Sequence, residues 1–291
     1  MGWHPDLPDP RDYTFRHESV LPLLLNLLGG TQHNELPRQV DLRRDEHGEY
    51  FTPPEDQGPL NCSCAFAVLS LVEYFERRGR GRTFEGSRRF LYEVTRHRIH
   101  QRLRATGDTG ADLRTTLKEL VQFGVPSEDD WPYDIDKFDD EPSGFAYRQA
   151  KPFPAVRYVR LDEANRPGKK TLKAVKSFLS AGFPVAFGFP VPTSLTNDCD
   201  IPYRRELDSY RGGQAAVAVG YDDNHLGSDR AGALLIRSSW GSQWGAGGYG
   251  WLPCAYVNQQ LARDFWTLVS HDWLDPAEFS RPWCIRNTNQ R

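Results

Sequence analysis

The chain has 291 residues, a formal net charge of −3, and 26% charged and 38% hydrophobic residues. That length is enough for one or two substantial cores, and so small a net charge gives no bulk attraction to nucleic acid or to an anionic bilayer. The first residues mix both charges with prolines, unlike the basic start of a secretory signal. Residues 20–28 are apolar but too short to cross a membrane, and are expected to form a short helix lying on the protein.

In chain order, residues 1–35 read as an N-terminal extension, broken by prolines and by Gly29 and Gly30. From Ser63 to about residue 78, Phe66, Leu69, Val72 and Phe75 recur at helical spacing, and Gly79 and Gly81 end the run. Residues 84–100 form a second helical stretch. Residues 111–123 form a third, with Leu113, Leu117, Leu120 and Val121 on one face and Gly124 as the stop. After Trp131 the pattern changes. Residues 155–161 read as a strand and 171–180 as a helix, and strands follow at 184–189, 215–221, 233–237, 249–252 and 265–269. A helical half followed by a strand-rich half is an α+β pattern. No internal repeat or low-complexity segment is present.

Five cysteines, an odd number, suit a reducing compartment, and a cytoplasmic location is expected. Cys62 and Cys64 are too close to pair, and Cys199, Cys254 and Cys284 are scattered, so all are read as free thiols. His97 and His100 share a helical face, but with Cys62 and Cys64 they match no closed zinc spacing and read as surface histidines. No metal and no cofactor are expected. The basic run from Arg77 to Arg82 reads as a solvated turn.

Three segments carry chemistry. The first contains Gln57, Gly58, Cys62, Ser63, Cys64, Ala65 and Phe66. The second runs through Gly212, Gly213, Gln214 and Ala215 to Val219, Gly220 and Tyr221. The third holds Ser238, Ser239, Trp240 and Gly241, then Trp244 and Gly245. Together, in this order, they resemble the papain-like cysteine peptidases, and the opening around Trp3, Asp6 and Asp9 is similar to that of bacterial-type members. The resemblance covers the chain to about residue 275. It implies a two-lobed α+β fold with a helical left lobe, a β-barrel-like right lobe and a cleft between them. The organisation it suggests is an extension at 1–35, a helical lobe at 36–140, a β-rich lobe at 141–275 and a tail at 276–291.

In that family the nucleophilic Cys, the His and the Asn stand where this sequence has Ser63, Gln214 and Ser238. Ser63 and Gln214 are separated by close to the roughly 130–150 residues expected between such a nucleophile and its base. A serine hydroxyl is far more basic than a thiol, and a helix dipole contributes only about 0.3–2 kcal/mol, so it needs a general base. Gln214 is an amide and cannot take a proton near neutral pH. With no imidazole to orient, Ser238 has no catalytic task. Ser63 therefore reads as a helix N-cap, paired across the cleft with Gln214.

Gln57 stands at the oxyanion-hole position, and either still donates to a peptide carbonyl or bonds neighbouring loops. Trp240 and Trp244 either wall the cleft or pack between the lobes. The resemblance also implies that Gly110, Ala111 and Gly213 pair with an extended peptide. The expected function is an inactive pseudopeptidase that binds a peptide or protein partner in the former cleft or on its surface. Two alternatives stay open. One is an enzyme of altered chemistry, acyl transfer or amide formation, using Cys62 or Cys64. The other is a structural subunit whose cleft is plugged by its own residues 20–28.

Overall fold

The computed structural model describes residues 1–15, 17, 18, 20, 21, 36–45, 48–100, 107–153, 156–204, 206–225, 232–270 and 273. Its centre is helix α1 (Ser63–Arg80), whose side chains are all buried from Ser63 to Glu76. A helix buried on every side must be covered on every side, and its buried Ser70, Glu73 and Glu76 find polar partners in Arg237, Arg88 and Trp273. Here α2 (Arg88–Ile99) and α3 (Leu113–Phe123) cover one face and the sheet covers the other. The helix stops at Gly81, which takes the left-handed conformation (φ 62°) and turns its N–H back to the Arg77 carbonyl.

Both covering helices begin later than their apolar spacing suggests, because a capping side chain sets the start. Ser87 accepts from the Phe90 N–H, and Asp112 accepts from the Thr115 N–H. Helix α4 (Gly144–Gln149) stays with this half of the molecule, where Tyr147 packs edge-on against Phe90 and Phe123.

The other half is an antiparallel sheet in the order β4 (Arg157–Arg160), β9 (Arg263–Val269), β5 (Val185–Pro192), β6 (Tyr210–Asp222), β7 (Ala233–Arg237), β8 (Tyr249–Pro253). Strand β1 (Gln39–Asp41) adds to β6 with Val40 opposite Tyr221. It comes from the chain that leads into the helical half, so the two halves share this seam. Strand β6 starts well before its apolar stretch: Gly213 and Gln214 already pair with Pro190 and Phe189 of β5. Helix α5 (Gly168–Ser180) packs on this sheet beside the short α6 (Ala255–Asn258). A small ribbon of β2 (Arg44–Asp45) and β3 (Gly48–Glu49) lies apart. Among the described residues no helix is long and apolar enough to cross a membrane.

The first turn of α1 meets the start of β6, and this junction of the two halves places the site. The apolar run at 20–28 is described only at Val20, which is buried, and Leu21, which is exposed; residues 22–28 lie outside the described residues.

Candidate functional site

At the junction the cleft is filled by the chain's own first residues. Residues 1–4 run as an extended strap between the loop at Gly110 and the start of β6. The Trp3 N–H donates to the Gly213 carbonyl (3.1 Å), the Ala111 N–H to the Gly2 carbonyl (2.9 Å), and the His4 N–H to the Ala111 carbonyl (2.9 Å). Trp3 pairs with Ala111 in a parallel sense. The loop itself is held by Asp108, which accepts from the Asn61 N–H (2.9 Å) and the Tyr92 hydroxyl (2.6 Å), while that hydroxyl accepts from the Gly110 N–H (3.0 Å). Glycines make the approach possible: a Cβ at Gly110 would fall 2.5 Å from the Gly2 carbonyl, and one at Gly213 would fall 2.3 Å from the Trp3 carbonyl. Ala111 and Gly213 are thus bonded to an extended segment of this chain, with Gly110 alongside it. The plug is residues 1–4, with Trp3 buried.

The strap ends in the corner built by Gln57, Ser63, Gln214, Ser238 and Ser239. The Met1 carbonyl accepts from the Gln57 side-chain amide (3.1 Å) and from the Ser63 N–H (3.5 Å). These are one side-chain and one backbone donor converging on a single carbonyl, the arrangement an oxyanion hole requires. The Gln57 amide also donates to the Leu60 carbonyl (2.5 Å), which ties the neighbouring loop.

Ser63 is not an N-cap. The cap position is Cys62, which makes no side-chain capping bond. The Ser63 hydroxyl accepts instead from the Ala215 N–H of β6 (3.1 Å). Nor does Gln214 pair with Ser63. Its amide donates to Gln57 Oε1 (3.0 Å) and to the Ser239 hydroxyl (3.0 Å), while that hydroxyl donates to Gln57 Oε1 (2.6 Å). This closed triangle forms because β6 presents Gln214 directly opposite the loop that carries Gln57. Ser239 was not singled out by the sequence; a serine beside the Asn position carries no signal of its own. Gln214 Oε1 and Ser238 Oγ are buried without a partner among the described residues. Ser238 and Ser239 adjoin a cavity of about 10 Å³, the size of one water molecule. None of the five side chains of the corner takes a proton near neutral pH; the titrating group beside them is the Met1 α-amino group, whose pKa burial lowers from its ordinary value.

The two flanking thiols are ill placed as nucleophiles. Cys62 and Cys64 are buried, Cys62 beside the Tyr133 hydroxyl (3.1 Å) and Cys64 against the Ala111 carbonyl (3.2 Å). Burial pushes the Cys62 thiol up to about 12 and Cys64 well above its ordinary value, the opposite of what thiolate chemistry needs. Cys199 and Cys254 are free as well, and Cys284 lies outside the described residues. Among the described residues no cluster of His, Cys, Asp or Glu could hold a metal ion. His97 faces Glu93 (3.1 Å), and His100 lies near the Thr109 hydroxyl (3.3 Å).

Ionisable groups gather where the strap is anchored. Asp264, fully buried, accepts from the Trp3 indole N–H (3.1 Å), the Asp6 N–H (2.8 Å) and Arg160 (2.6 Å). Arg160 also reaches Asp162 (3.1 Å) and the Asp6 carbonyl (3.0 Å). Arg114 clamps the next stretch through Asp6, Asp12 (2.7 Å) and the Leu7 carbonyl (2.6 Å). Burial, helped by Asp162 and Asp6, lifts the Asp264 carboxyl to about 7 against the pull of Arg160.

Beyond the corner, Trp240 and Trp244 meet edge to face at 4.6 Å, and Trp240 also touches Phe189. Trp244 is buried with its N–H on the Thr196 carbonyl (3.2 Å), and the pair walls an open pocket of about 380 Å³ with Gln243, Arg211 and residues 195–197.

Comparison with known proteins agrees with this geometry. The model of the papain family of cysteine proteases matches residues 36–261. An uncharacterized peptidase C1-like protein of Acanthamoeba polyphaga mimivirus is 30% identical over 92% of this chain and 86% of its own length. The crystal structure of xylellain, a cysteine protease from Xylella fastidiosa, superposes with a TM-score of 0.70 at 28% identity, covering 92% of this chain and 95% of that one. Chymopapain of Carica papaya is 24% identical over 83% of this chain and 57% of its own length.

Proposed function

The chain belongs to the papain family of cysteine proteases, and from that premise we propose that it is a peptidase-inactive member that binds a peptide or protein partner through the former substrate cleft. The observation that carries this reading is the Gln57, Gln214 and Ser239 triangle. The residue standing at the base position spends its amide on neutral neighbours, and the Ser63 hydroxyl accepts from a backbone N–H with no base to take its proton. What survives is the machinery that holds an extended chain: converging donors at Gln57 and Ser63, and backbone pairing at Ala111 and Gly213. Extended-segment pairing of this kind needs no catalytic group. A cytoplasmic location is proposed with it, in accord with the unpaired thiols.

An enzyme of altered chemistry using Cys62 or Cys64 is disfavoured by the burial and raised pKa of both thiols. A second reading, a structural subunit with a permanently closed cleft, shares the strap and differs only in whether the strap ever leaves.

Turnover of a peptide library separates these readings. The wild-type protein and Trp3→Ala, which loosens the strap, are expected to cleave nothing. Ser63→Cys alone is also expected to be silent. Adding Gln214→His and Ser238→Asn supplies a base and its orienting partner, and turnover is expected to be greatest when Trp3→Ala is present too. Wild-type cleavage that disappears in Ser63→Ala overturns the inactive reading. Peptide binding to Trp3→Ala supports the binding reading, and its complete absence supports the closed subunit.

A further inference from the structure

The strap is a ligand already seated, and its contacts specify what the cleft accepts. Trp3 is 6% exposed. Its ring fills the space that a side chain on β5 would otherwise take: a Cβ at Gly188 would fall 1.9 Å from the indole, and one at Gly213 would fall 2.8 Å from its far edge. The slot is thus bounded by two glycines and ends in a carboxylate. Asp264 Oδ2 accepts the indole N–H (3.1 Å), while Arg160 holds Oδ1 (2.6 Å) and so fixes the direction in which the carboxylate points. The residue before the tryptophan is read as well. Gly2 has φ 105°, and a Cβ there would fall 2.0 Å from the Asn61 carbonyl. His4 adds a side-chain bond, its Nε2 lying 2.8 Å from the Thr109 carbonyl, and the main-chain bonds of Gly2, Trp3 and His4 to Ala111 and Gly213 are ones any sequence can make.

We propose that this slot is a receptor site for an extended partner segment carrying tryptophan after glycine. The segment enters with the same chain direction as residues 2–4 and displaces the strap. The proposal rests on the reading of the cleft as peptide-binding and adds the side chain it selects. Phenylalanine lacks the N–H for Asp264, an aliphatic side chain leaves the slot unfilled, and an arginine sets a second cation beside Arg160. The strap competes from within the same molecule, at an effective concentration on the order of millimolar for a short tether. The wild-type cleft therefore answers only to a segment that matches these contacts.

The test titrates full-length Trp3→Ala with capped peptides followed by calorimetry. The peptides are Gly-Trp-His, the same peptide with benzothienylalanine (the indole shape without its N–H), Gly-Phe-His and Ala-Trp-His. The first is expected to bind saturably. Losing the N–H is expected to weaken binding about tenfold or more, and alanine before the tryptophan is expected to abolish it. Wild type is expected to bind about a hundredfold more weakly than Trp3→Ala. Equal binding of the tryptophan, benzothienyl and phenylalanine peptides overturns the proposal while leaving a peptide-binding cleft. If no peptide binds a variant whose Ala111 amide has lost hydrogen-exchange protection, the proposal and the binding reading fall together. Should Trp3→Ala fail to fold, Trp3→Phe, which keeps a ring and drops the N–H, serves as the receptor with the same expected order.

Discussion

The corner around Ser63 and the anchor around Asp264 lie at opposite ends of the strap and are built from opposite materials. The corner holds only neutral polar side chains, Gln57, Ser63, Gln214, Ser238 and Ser239, which bond mostly to one another and to backbone. The anchor gathers Asp6, Asp12, Asp162 and Asp264 around Arg114 and Arg160. Amides and hydroxyls can be buried at low cost when they satisfy each other, but they exchange no protons near neutral pH. Buried charges are costly and hold only while every partner stays in place. Ionisable side chains therefore stand where Trp3 of the strap and the following Asp6 are anchored, and neutral ones where the strap's Met1 carbonyl is held.

The comparison breaks first at Arg160. Arg160→Ala leaves Asp264 buried without its cation and is expected to cost roughly 3–5 kcal/mol, read as a lower denaturation midpoint at unchanged slope. A loss under about 1 kcal/mol would mean that the anchor is held by its backbone bonds alone.

Next in size is Trp3→Ala. Emptying an aromatic slot costs on the order of 3 kcal/mol, which is about a hundredfold in a local opening equilibrium. The Ala111 amide, bonded to the Gly2 carbonyl, should lose hydrogen-exchange protection by about that factor while amides in the core of α1 keep theirs. Uniform loss across both would place the strap within the global folding unit.

The two regions should also differ in their response to pH. The Asp264 carboxyl is raised by burial from 3.8 to about 7. Between those values the folded protein holds a proton that the unfolded chain has lost, so stability is greatest at the acid end and declines as pH rises toward 7. Asp264 contributes a decline on the order of 2 kcal/mol, and Asp264→Asn should make the profile shallower, leaving the part due to Glu73, whose carboxyl burial also lifts to about 7. A wild-type profile already as flat as that of Asp264→Asn would show that Arg160 keeps the carboxylate ionised throughout.

The smallest effect belongs to the corner. Ser63→Ala leaves the Ala215 N–H buried without its acceptor, at a cost of about 1–2 kcal/mol. That loss should be the same at every pH in this window. A pH-dependent loss would reveal a titrating group at the corner and erase the contrast.

Much of this architecture was legible from residue order. Phe66, Leu69, Val72 and Phe75 placed α1, and strand β7 was found at 233–237 as read. The starts of α2 and α3 were read several residues early because apolar spacing continues past the capping side chains, Ser87 and Asp112, that set them. Strand β1 and the early part of β6 carry no periodic signal, since three residues or a Gly-Gly-Gln stretch show no alternation; the resemblance alone pointed to a strand at residues 212–214. Trp3, Arg160 and Asp264 were missed as a group because they lie far apart in the chain and share no motif.

What the sequence by itself determined is that the corner's own side chains supply no base. Side-chain identity fixes that, and Ser63, Gln214 and Ser238 contain no base wherever they point. What only the tertiary structure decided is who bonds whom. Ser63 turns to Ala215 and away from its own helix, Gln214 turns to Gln57 and Ser239, two cysteines are sealed from solvent, and residues 1–4 lie in the cleft. Hydrogen-bond partners at such sequence separations depend on where packed elements come to rest. Local periodicity records the elements and is silent about the extended, aperiodic strap that joins them.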